Sequence, residues 1–192
     1  MPIVFISGSP QARSRSNALL DVVRNHVVAH GATVEDVRAR ELPPDSLLNL
    51  EFDAPPVKAA LGRVERANAV VIATPIYKAS YTGLLKSFLD LLPQDGLKDK
   101  VVLPIATGGS PAHLLAIDYA IKPVLTALGA RWIVGSVYAS DAQIAKRDDG
   151  GYQPDVEIAA RLAEASSLLL EAIEWPRARR ERAAGLALEL AA

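Results

Sequence analysis

Short apolar runs and helix-like segments alternate along the chain. The strand-like runs, rich in β-branched residues, are residues 3–7, 33–37, 69–73, 101–106 and 131–138. Apolar residues recur at helical spacing in five other segments, which are residues 16–28, 57–66, 81–92, 113–128 and 155–175. The pattern therefore predicts a strand–helix unit repeated five times, with loops at the proline-rich residues 42–56 and the polar residues 140–154.

The main strands are apolar along their whole length rather than at alternate positions. Such strands are buried on both faces, which favours a parallel sheet covered by helices on both sides. Right-handed crossovers then give an α/β three-layer sandwich with a five-stranded parallel sheet. Ligands of such sheets bind beyond the carboxyl ends of the strands. The candidate site therefore lies in the loops that follow the first, third and fourth strands.

The length of 192 residues suits one domain. We place this domain at residues 1–175 and predict that the tail at residues 176–192 is helical or partly disordered. The chain has no cysteine, which excludes disulfides, Cys-bound metals and thiol-based redox chemistry. No metal site is expected.

Charge and hydropathy give no sign of a nucleic-acid or membrane partner. The net charge is −1, and no apolar stretch reaches the ~18–20 residues that a membrane helix needs. The first residues lack the basic segment of a signal peptide and fit a strand instead. We therefore expect a cytoplasmic protein.

The first strand runs into a serine-rich loop, residues 8–17, with the sequence GSPQARSRSN. A helix follows this loop, and backbone N–H groups at a helix N-terminus attract anions. Hydroxyl and guanidinium groups add further donors, namely Ser9, Ser14, Ser16, Arg13 and Arg15. The loop matches neither GxGxxG nor a P-loop. Its serines favour a monophosphate such as that of FMN, although a capped, solvated turn would have the same sequence.

The third and fourth strands end in loops that suit a flat ring. Residues 74–83 contain Pro75, which stiffens the loop, and two tyrosines, Tyr77 and Tyr81. Residues 107–110 contain two glycines, which let backbone N–H groups approach a ligand. Each loop alone is equally typical of a simple turn. Their convergence with the serine-rich loop at one edge of the sheet favours a flavin site.

These motifs resemble the NAD(P)H-dependent FMN reductases of the flavodoxin-like superfamily. They are most similar to the reductase component of alkanesulfonate monooxygenase two-component systems. The resemblance covers about residues 1–175 and is carried by residues 8–10, 14–16, 73–78, 83–86, 89–93, 100–104 and 106–109. The stretch HLLAIDYAIKPVL, residues 113–125, is the most specific piece and indicates the sulfonate branch.

The resemblance implies reduction of FMN by NADPH, with NADH as the alternative reductant. It also implies release of reduced FMN to a separate monooxygenase that desulfonates alkanesulfonates for sulfur acquisition. The resemblance implies that the FMN phosphate is bound by Ser9, Ser14, Arg15 and Ser16. It implies that the flavin ring is bound by Pro75, Ile76, Tyr77, Lys78, Thr107, Gly108 and Gly109. Many relatives have Arg where this chain has Gln11, with Arg13 two positions later, so it stays open which cation serves the FMN phosphate or a nicotinamide 2′-phosphate.

The resemblance further implies a π-bulge at Tyr119, at a subunit interface, where the ring helps to control flavin release; an ordinary interface or core tyrosine is the alternative. The helix at residues 81–92 is apolar on more than one face, which predicts a homodimer or homotetramer. No catalytic side chain is expected, because hydride passes directly between the two cofactors. His113 lies near the site but fits a helix cap equally well.

Three other functions fit the same sequence. An FMN-retaining quinone, azo-compound or metal-oxyanion reductase would have a similar site. A flavodoxin-like electron carrier fits less well, because the net charge of −1 differs from the acidic surface that such carriers use for docking. A phosphate-binding regulator without flavin is the remotest of the three.

Overall fold

The computed structural model describes residues 2–176, 178, 179 and 182. Within them the strands are β1 Pro2–Ser7, β2 Thr33–Arg38, β3 Ala69–Tyr77, β4 Ser80–Tyr81, β5 Val101–Gly108, β6 Trp132–Ile133, β7 Val137–Ser140, β8 Ile144–Lys146 and β9 Tyr152–Pro154. The α-helices are α1 Arg15–Ala29, α2 Pro44–Leu48, α3 Pro55–Arg66, α4 Gly83–Leu89, α5 Lys122–Ala127 and α6 Val156–Ala172.

The central sheet follows the order β2-β1-β3-β5, and β6 and β7 share the far side of β5. All of these pairings are parallel, whereas the short β4 folds back antiparallel on the end of β3. Alternate residues of each strand face opposite sides of the sheet. Ile3 and Phe5 pack with α1 and α6, while Val4 and Ile6 pack with α3, α4 and α5. The predicted three-layer arrangement is therefore present.

The predicted number of five strands is wrong, because the sheet has seven. Residues 134–136 lie opposite only two residues of β5, which leaves one extra residue and splits the fifth strand into β6 and β7. Pro104 lies opposite this bulge and has no N–H to donate to a ladder. Gly135 adopts the left-handed conformation, with φ +56°, and packs against α6. The remaining strand, β4, comes from the tight hairpin at the end of β3.

Two predicted loops contain regular structure. Residues 42–56 include the short helix α2 and the start of α3, because proline is well placed in the first turn of a helix. Residues 140–154 contain a 3₁₀ turn at Asp141–Gln143 and the antiparallel hairpin β8–β9. The polar composition of residues 140–154 did not predict β8 and β9, because a two-stranded ribbon needs few apolar residues.

The apolar faces of the helix that predicted an oligomer are covered by other parts of the same chain. Of its apolar residues only Leu84 is half-buried, and the others lie in the core: Leu85, Phe88, Leu89, Leu91 and Leu92. The helix itself is shorter than expected, since α4 covers only Gly83–Leu89. This helix therefore gives no support to a subunit interface.

The predicted tail at residues 176–192 lies largely outside the described residues, so the boundary near residue 175 stays a prediction. None of the helices in the described part of the chain has the length and apolar character needed to cross a bilayer.

The bulge at Gly135 yields a stability prediction. A Cβ there would lie 2.9 Å from Cβ of Ala165 in α6, and alanine disfavours the left-handed conformation. We expect Gly135→Ala to lower the free energy of unfolding by about 2–4 kcal/mol in urea titrations. Gly83→Ala is the matched control, since a Cβ at Gly83 meets no atom within 4 Å. Equal stability of the two variants would contradict this role of the bulge.

Candidate functional site

Asn17 holds the serine-rich loop in place between β1 and α1. Its Oδ1 accepts a 2.5 Å hydrogen bond from the Ser7 hydroxyl, and its Nδ2 donates to the carbonyls of Gln11 and Ala12. Ser14 caps α1, since its Oγ accepts a hydrogen bond from the backbone N–H of Asn17 at 3.2 Å. The first amides of a helix have no partner inside it, and N–H groups at such a position attract anions.

Thr82 joins this loop to the one that follows β3. Its hydroxyl donates to the Gly8 carbonyl at 2.6 Å and accepts from the Leu85 amide at 3.1 Å, where it caps α4. The Thr82 amide donates in turn to the Thr74 hydroxyl. Thr74 and Thr82 are both buried. Two loops that are about 70 residues apart in sequence are therefore fixed to each other by buried hydrogen bonds.

The turn between β3 and β4 is held in an unfavourable conformation. Lys78 and Ala79 both have positive φ, +50° and +66°, as in a type I′ hairpin turn. Such a conformation costs of order 1 kcal/mol or more per residue without glycine. The Tyr119 hydroxyl donates a long hydrogen bond, 3.4 Å, to the Ala79 carbonyl. The exposed Tyr77, on the β3 side of the turn, faces the candidate site.

Tyr138 fixes the glycine-containing loop after β5. Its hydroxyl donates to the Ser110 carbonyl at 2.5 Å, and a Cβ at Gly108 would overlap the Tyr138 hydroxyl oxygen. A side chain at position 108 would therefore displace this hydroxyl. Burial raises the pKa of the Tyr138 phenol, and the nearby Asp141 carboxylate raises it further. The phenol thus stays protonated and keeps its donor at neutral pH.

These loops enclose a cavity of about 140 Å³. Its walls include all of the predicted site residues except Ser9 and Lys78, and they add Gln11, Asp141 and Tyr152. Ser9 is buried beneath the loop, where its Oγ accepts from the Gln11 amide at 3.2 Å. Lys78 lies exposed in the strained turn. The binding roles of all these residues stay predictions.

A larger groove of about 540 Å³ continues from the cavity along α1. Ser14 and Tyr152 line both spaces. The groove adds two cations, Arg13 and Arg147, and two carboxylates, Asp21 and Asp149, of which Asp149 pairs with Arg147 at 3.0 Å. Arg13 Nη1 donates to the backbone carbonyl of Asp149 at 2.9 Å, so this contact does not pair the Arg13 charge with a carboxylate. Gln11 faces the smaller cavity, while Arg13 faces the groove. Of the two candidate cations, only Arg15 therefore lies at the cavity.

The segment predicted as one helix, residues 113–128, changes its winding twice. A 3₁₀ turn at Pro111–His113 precedes a π-helical turn at Ile117–Ile121, and α5 follows. Tyr119 lies in the π-helical turn, as the resemblance implies, and is 56% exposed. His113 ends the 3₁₀ turn and does not line the cavity. The described residues contain no group of His, Asp or Glu arranged to hold a metal ion.

The sheet order and the cavity at its carboxyl edge define a flavodoxin-like α/β protein. A solved flavodoxin from Streptococcus pneumoniae TIGR4 is similar in structure, with a TM-score of 0.61 at 12% identity over 88% of this chain and 97% of that one. This likeness confirms the predicted fold class.

The chain belongs to the family of NADPH-dependent FMN reductases, which residues 1–144 match. It is 43% identical over 182 residues to FMN reductase (NADPH) of Pseudomonas putida, covering 95% of this chain and 91% of the relative. The apo structure of NADH:FMN oxidoreductase (EMOB) has a TM-score of 0.79 at 39% identity, over 88% of this chain and 87% of that one. The predicted oxidoreductase class is confirmed, and the family fits the predicted cofactors FMN and NADPH.

Three residues of the site were not predicted as site residues from the sequence, namely Thr82, Asp141 and Tyr152. Thr82 carried a detectable signal, since threonine before a helix is a typical N-cap. Asp141 and Tyr152 lie in the polar residues 140–154, which follow the fifth predicted strand, and the tertiary fold brings them to the serine-rich loop.

The buried threonine that joins the two loops yields a second prediction. We expect Thr82→Val to destabilise the protein by about 2–4 kcal/mol, because the Gly8 carbonyl and the Leu85 amide both lose a buried partner. Thr82→Ser keeps the hydroxyl and should cost about 1 kcal/mol or less. Urea unfolding of both variants measures the difference. Equal losses would contradict the dominant role of the hydroxyl, because Thr82→Ser removes only the methyl group and keeps both hydrogen bonds.

Proposed function

We propose that this protein takes FMN as a substrate, reduces it with NADPH and releases the reduced flavin to a separate monooxygenase. The observation that carries the proposal is the cavity at the carboxyl edge of the sheet. It has hydrogen-bond donors for an anion beside backbone groups and tyrosine rings. Its volume of about 140 Å³ is below the ~300–1,000 Å³ of typical ligand pockets. A flavin held there stays partly exposed, which suits a ligand that has to leave.

The donors fit a flavin with a terminal phosphate. The hydroxyls of Ser14 and Ser16 lie 3.2 Å apart at the start of α1, beside the Arg15 guanidinium. Pro75, Ile76 and Tyr77 at the end of β3 line the cavity for the ring, and beside them lie Thr107, Gly108 and Gly109, since Thr107 pairs with Pro75 across the β3–β5 ladder. Bound FMN supplies the hydride-accepting chemistry at this site. The chain itself binds, orients and partly shields the reactants, and we assign no side chain to proton transfer.

NADPH is the proposed reductant. The groove beside the cavity contributes Arg13, which among the described residues bonds only a backbone carbonyl and whose guanidinium suits a phosphate of a dinucleotide. The second cation, Arg147, already pairs with Asp149 at 3.0 Å. The Pseudomonas putida relative is named for NADPH, whereas EMOB is named for NADH. FMN and NADPH are both available in the cytoplasm, where we place the enzyme.

We further propose that the recipient is a flavin-dependent monooxygenase that desulfonates alkanesulfonates. The support is the resemblance of residues 113–125 to the sulfonate branch, together with the π-helical turn at Ile117–Ile121. Tyr119 in that turn contacts the strained turn at Ala79, beside the wall formed by Tyr77. A ring in this position is well placed to influence how easily the flavin leaves.

The same turn supports a homodimer or homotetramer. Leu114 and Leu115 are 49% and 60% exposed, and with Tyr119 they form an apolar surface around the π-helical turn. Burying such a surface against a second copy removes apolar area from water.

Steady-state kinetics test the reductase proposal. We expect the purified protein to be colourless and to oxidise NADPH only when FMN is added, because the exposed site releases its flavin. Adding an alkanesulfonate monooxygenase and its substrate should then produce sulfite. A yellow protein with ping-pong kinetics would indicate an FMN-retaining reductase, for which azo compounds and quinones are the next substrates to try. Failure to oxidise NADPH without another reductase would indicate an electron carrier.

Sedimentation tests the subunit interface. We expect the wild-type protein to sediment as a dimer or tetramer at micromolar concentration. Leu115→Lys should shift it towards the monomer, because burying an unpaired ammonium group is costly. Leu48→Lys is the matched control, since Leu48 is 74% exposed on α2 and is not part of the π-helical turn. A monomeric wild-type protein, or equal effects of both substitutions, would contradict the proposed interface.

A further inference from the structure

Arg15, the cation of the cavity, already has a carboxylate partner within the chain. Its Nη1 lies 3.3 Å from Oδ2 of Asp141. Its Nε donates to the Ile144 carbonyl at 3.4 Å, and its guanidinium carbon lies 4.9 Å from the centre of the Tyr152 ring. The guanidinium is therefore held from one side by the segment that follows β7.

Asp141 is fixed in position by the fold. It begins the 3₁₀ turn Asp141–Gln143, directly after the last residue of β7. The Gln143 side chain accepts hydrogen bonds from both the amide and the hydroxyl of Ser140, at 3.1 and 3.0 Å. This capping arrangement anchors the backbone just before Asp141. The carboxylate is partly exposed and lines the cavity together with Ser14 and Ser16.

The charges around the cavity cancel. Among the described residues that line it, only Arg15 and Asp141 are charged. The other lining groups are hydroxyls, an amide, tyrosines, backbone and apolar side chains. An entering phosphate carries close to two negative charges. A phosphate that binds Arg15 has to share or replace the Nη1 contact with Asp141, and it meets repulsion from that carboxylate.

We propose that Asp141 competes with the terminal phosphate of the flavin for Arg15 and thereby keeps FMN exchangeable. The proposal rests on the proposed function, since it concerns the affinity of the same site for FMN. Asp141 acts through Arg15 and through its own field, so it is an affinity-determining residue rather than a catalytic one. Its effect depends on the phosphate and vanishes for riboflavin, which has the same ring and no phosphate.

Flavin binding to the Asp141→Asn variant tests the competition. Asparagine keeps the size of the side chain and removes its charge. We expect FMN to bind about tenfold more tightly than to the wild type, as measured by quenching of flavin fluorescence. Riboflavin should bind both proteins equally within about twofold. Asp141→Glu should bind FMN with an affinity close to that of the wild type, because it keeps the negative charge.

Two controls separate the local charge from other effects. Asp95→Asn makes the same change in net charge at an exposed site that pairs with Lys98, away from the cavity. It should leave the affinity for FMN unchanged. In an Arg15→Met background, the gain from Asp141→Asn should shrink, because the shared cation is gone. Thermal unfolding of each variant checks that the fold is retained.

The outcomes divide clearly. Equal tightening of FMN and riboflavin would show that Asp141 acts through loop structure, and unchanged FMN affinity would remove the competition altogether. In both cases the proposed reductase function stands, since the wild type still binds FMN. A wild type and an Asp141→Asn variant that bind neither flavin would overturn the proposed function and this inference together.

Discussion

The carboxyl ends of parallel strands lie at one edge of a sheet, and this constraint gathers distant loops around a single cavity. β1, β3 and β5 are paired in register in the interior, and the Gly8 amide donates to the Ala73 carbonyl just beyond them. Thr82 then ties the first loop to the second through a buried hydroxyl. Because both contacts are buried, they hold the first two loops firmly against each other.

The site combines many hydrogen-bond donors with almost no net charge. Ser14, Ser16 and the first turn of α1 offer neutral donors, while Arg15, the one cation among the described lining residues, pairs with Asp141. Donors of this kind recognise the shape of a phosphate without the strong attraction of a cluster of cations. A strained turn at Lys78 and Ala79 borders the same cavity. Geometry and electrostatics are thus both consistent with a ligand that is recognised and then released.

The sequence predicted the strongly apolar elements well and the polar ones poorly. β3 and β5 are continuous apolar runs whose burial follows from composition alone. The hairpin β8–β9 and the split of the fifth strand were missed, because the first rests on few apolar contacts and the second on packing of Gly135 against α6. The oligomer argument from the helix after β4 failed for a related reason: helical periodicity does not say how many neighbours inside the same chain cover a helix.

The sequence by itself determined the fold class, the family and the three loops that line the cavity, because these follow from local hydrophobic pattern and contiguous motifs. The tertiary structure alone decided that Asp141 and Tyr152 meet Arg15, that Gln11 and Arg13 face different spaces, and that Ser9 is buried beneath its loop. The physical reason is that charge pairing and burial depend on distances between segments far apart in the chain. Those distances are set by packing across the whole sheet, and no local pattern encodes them.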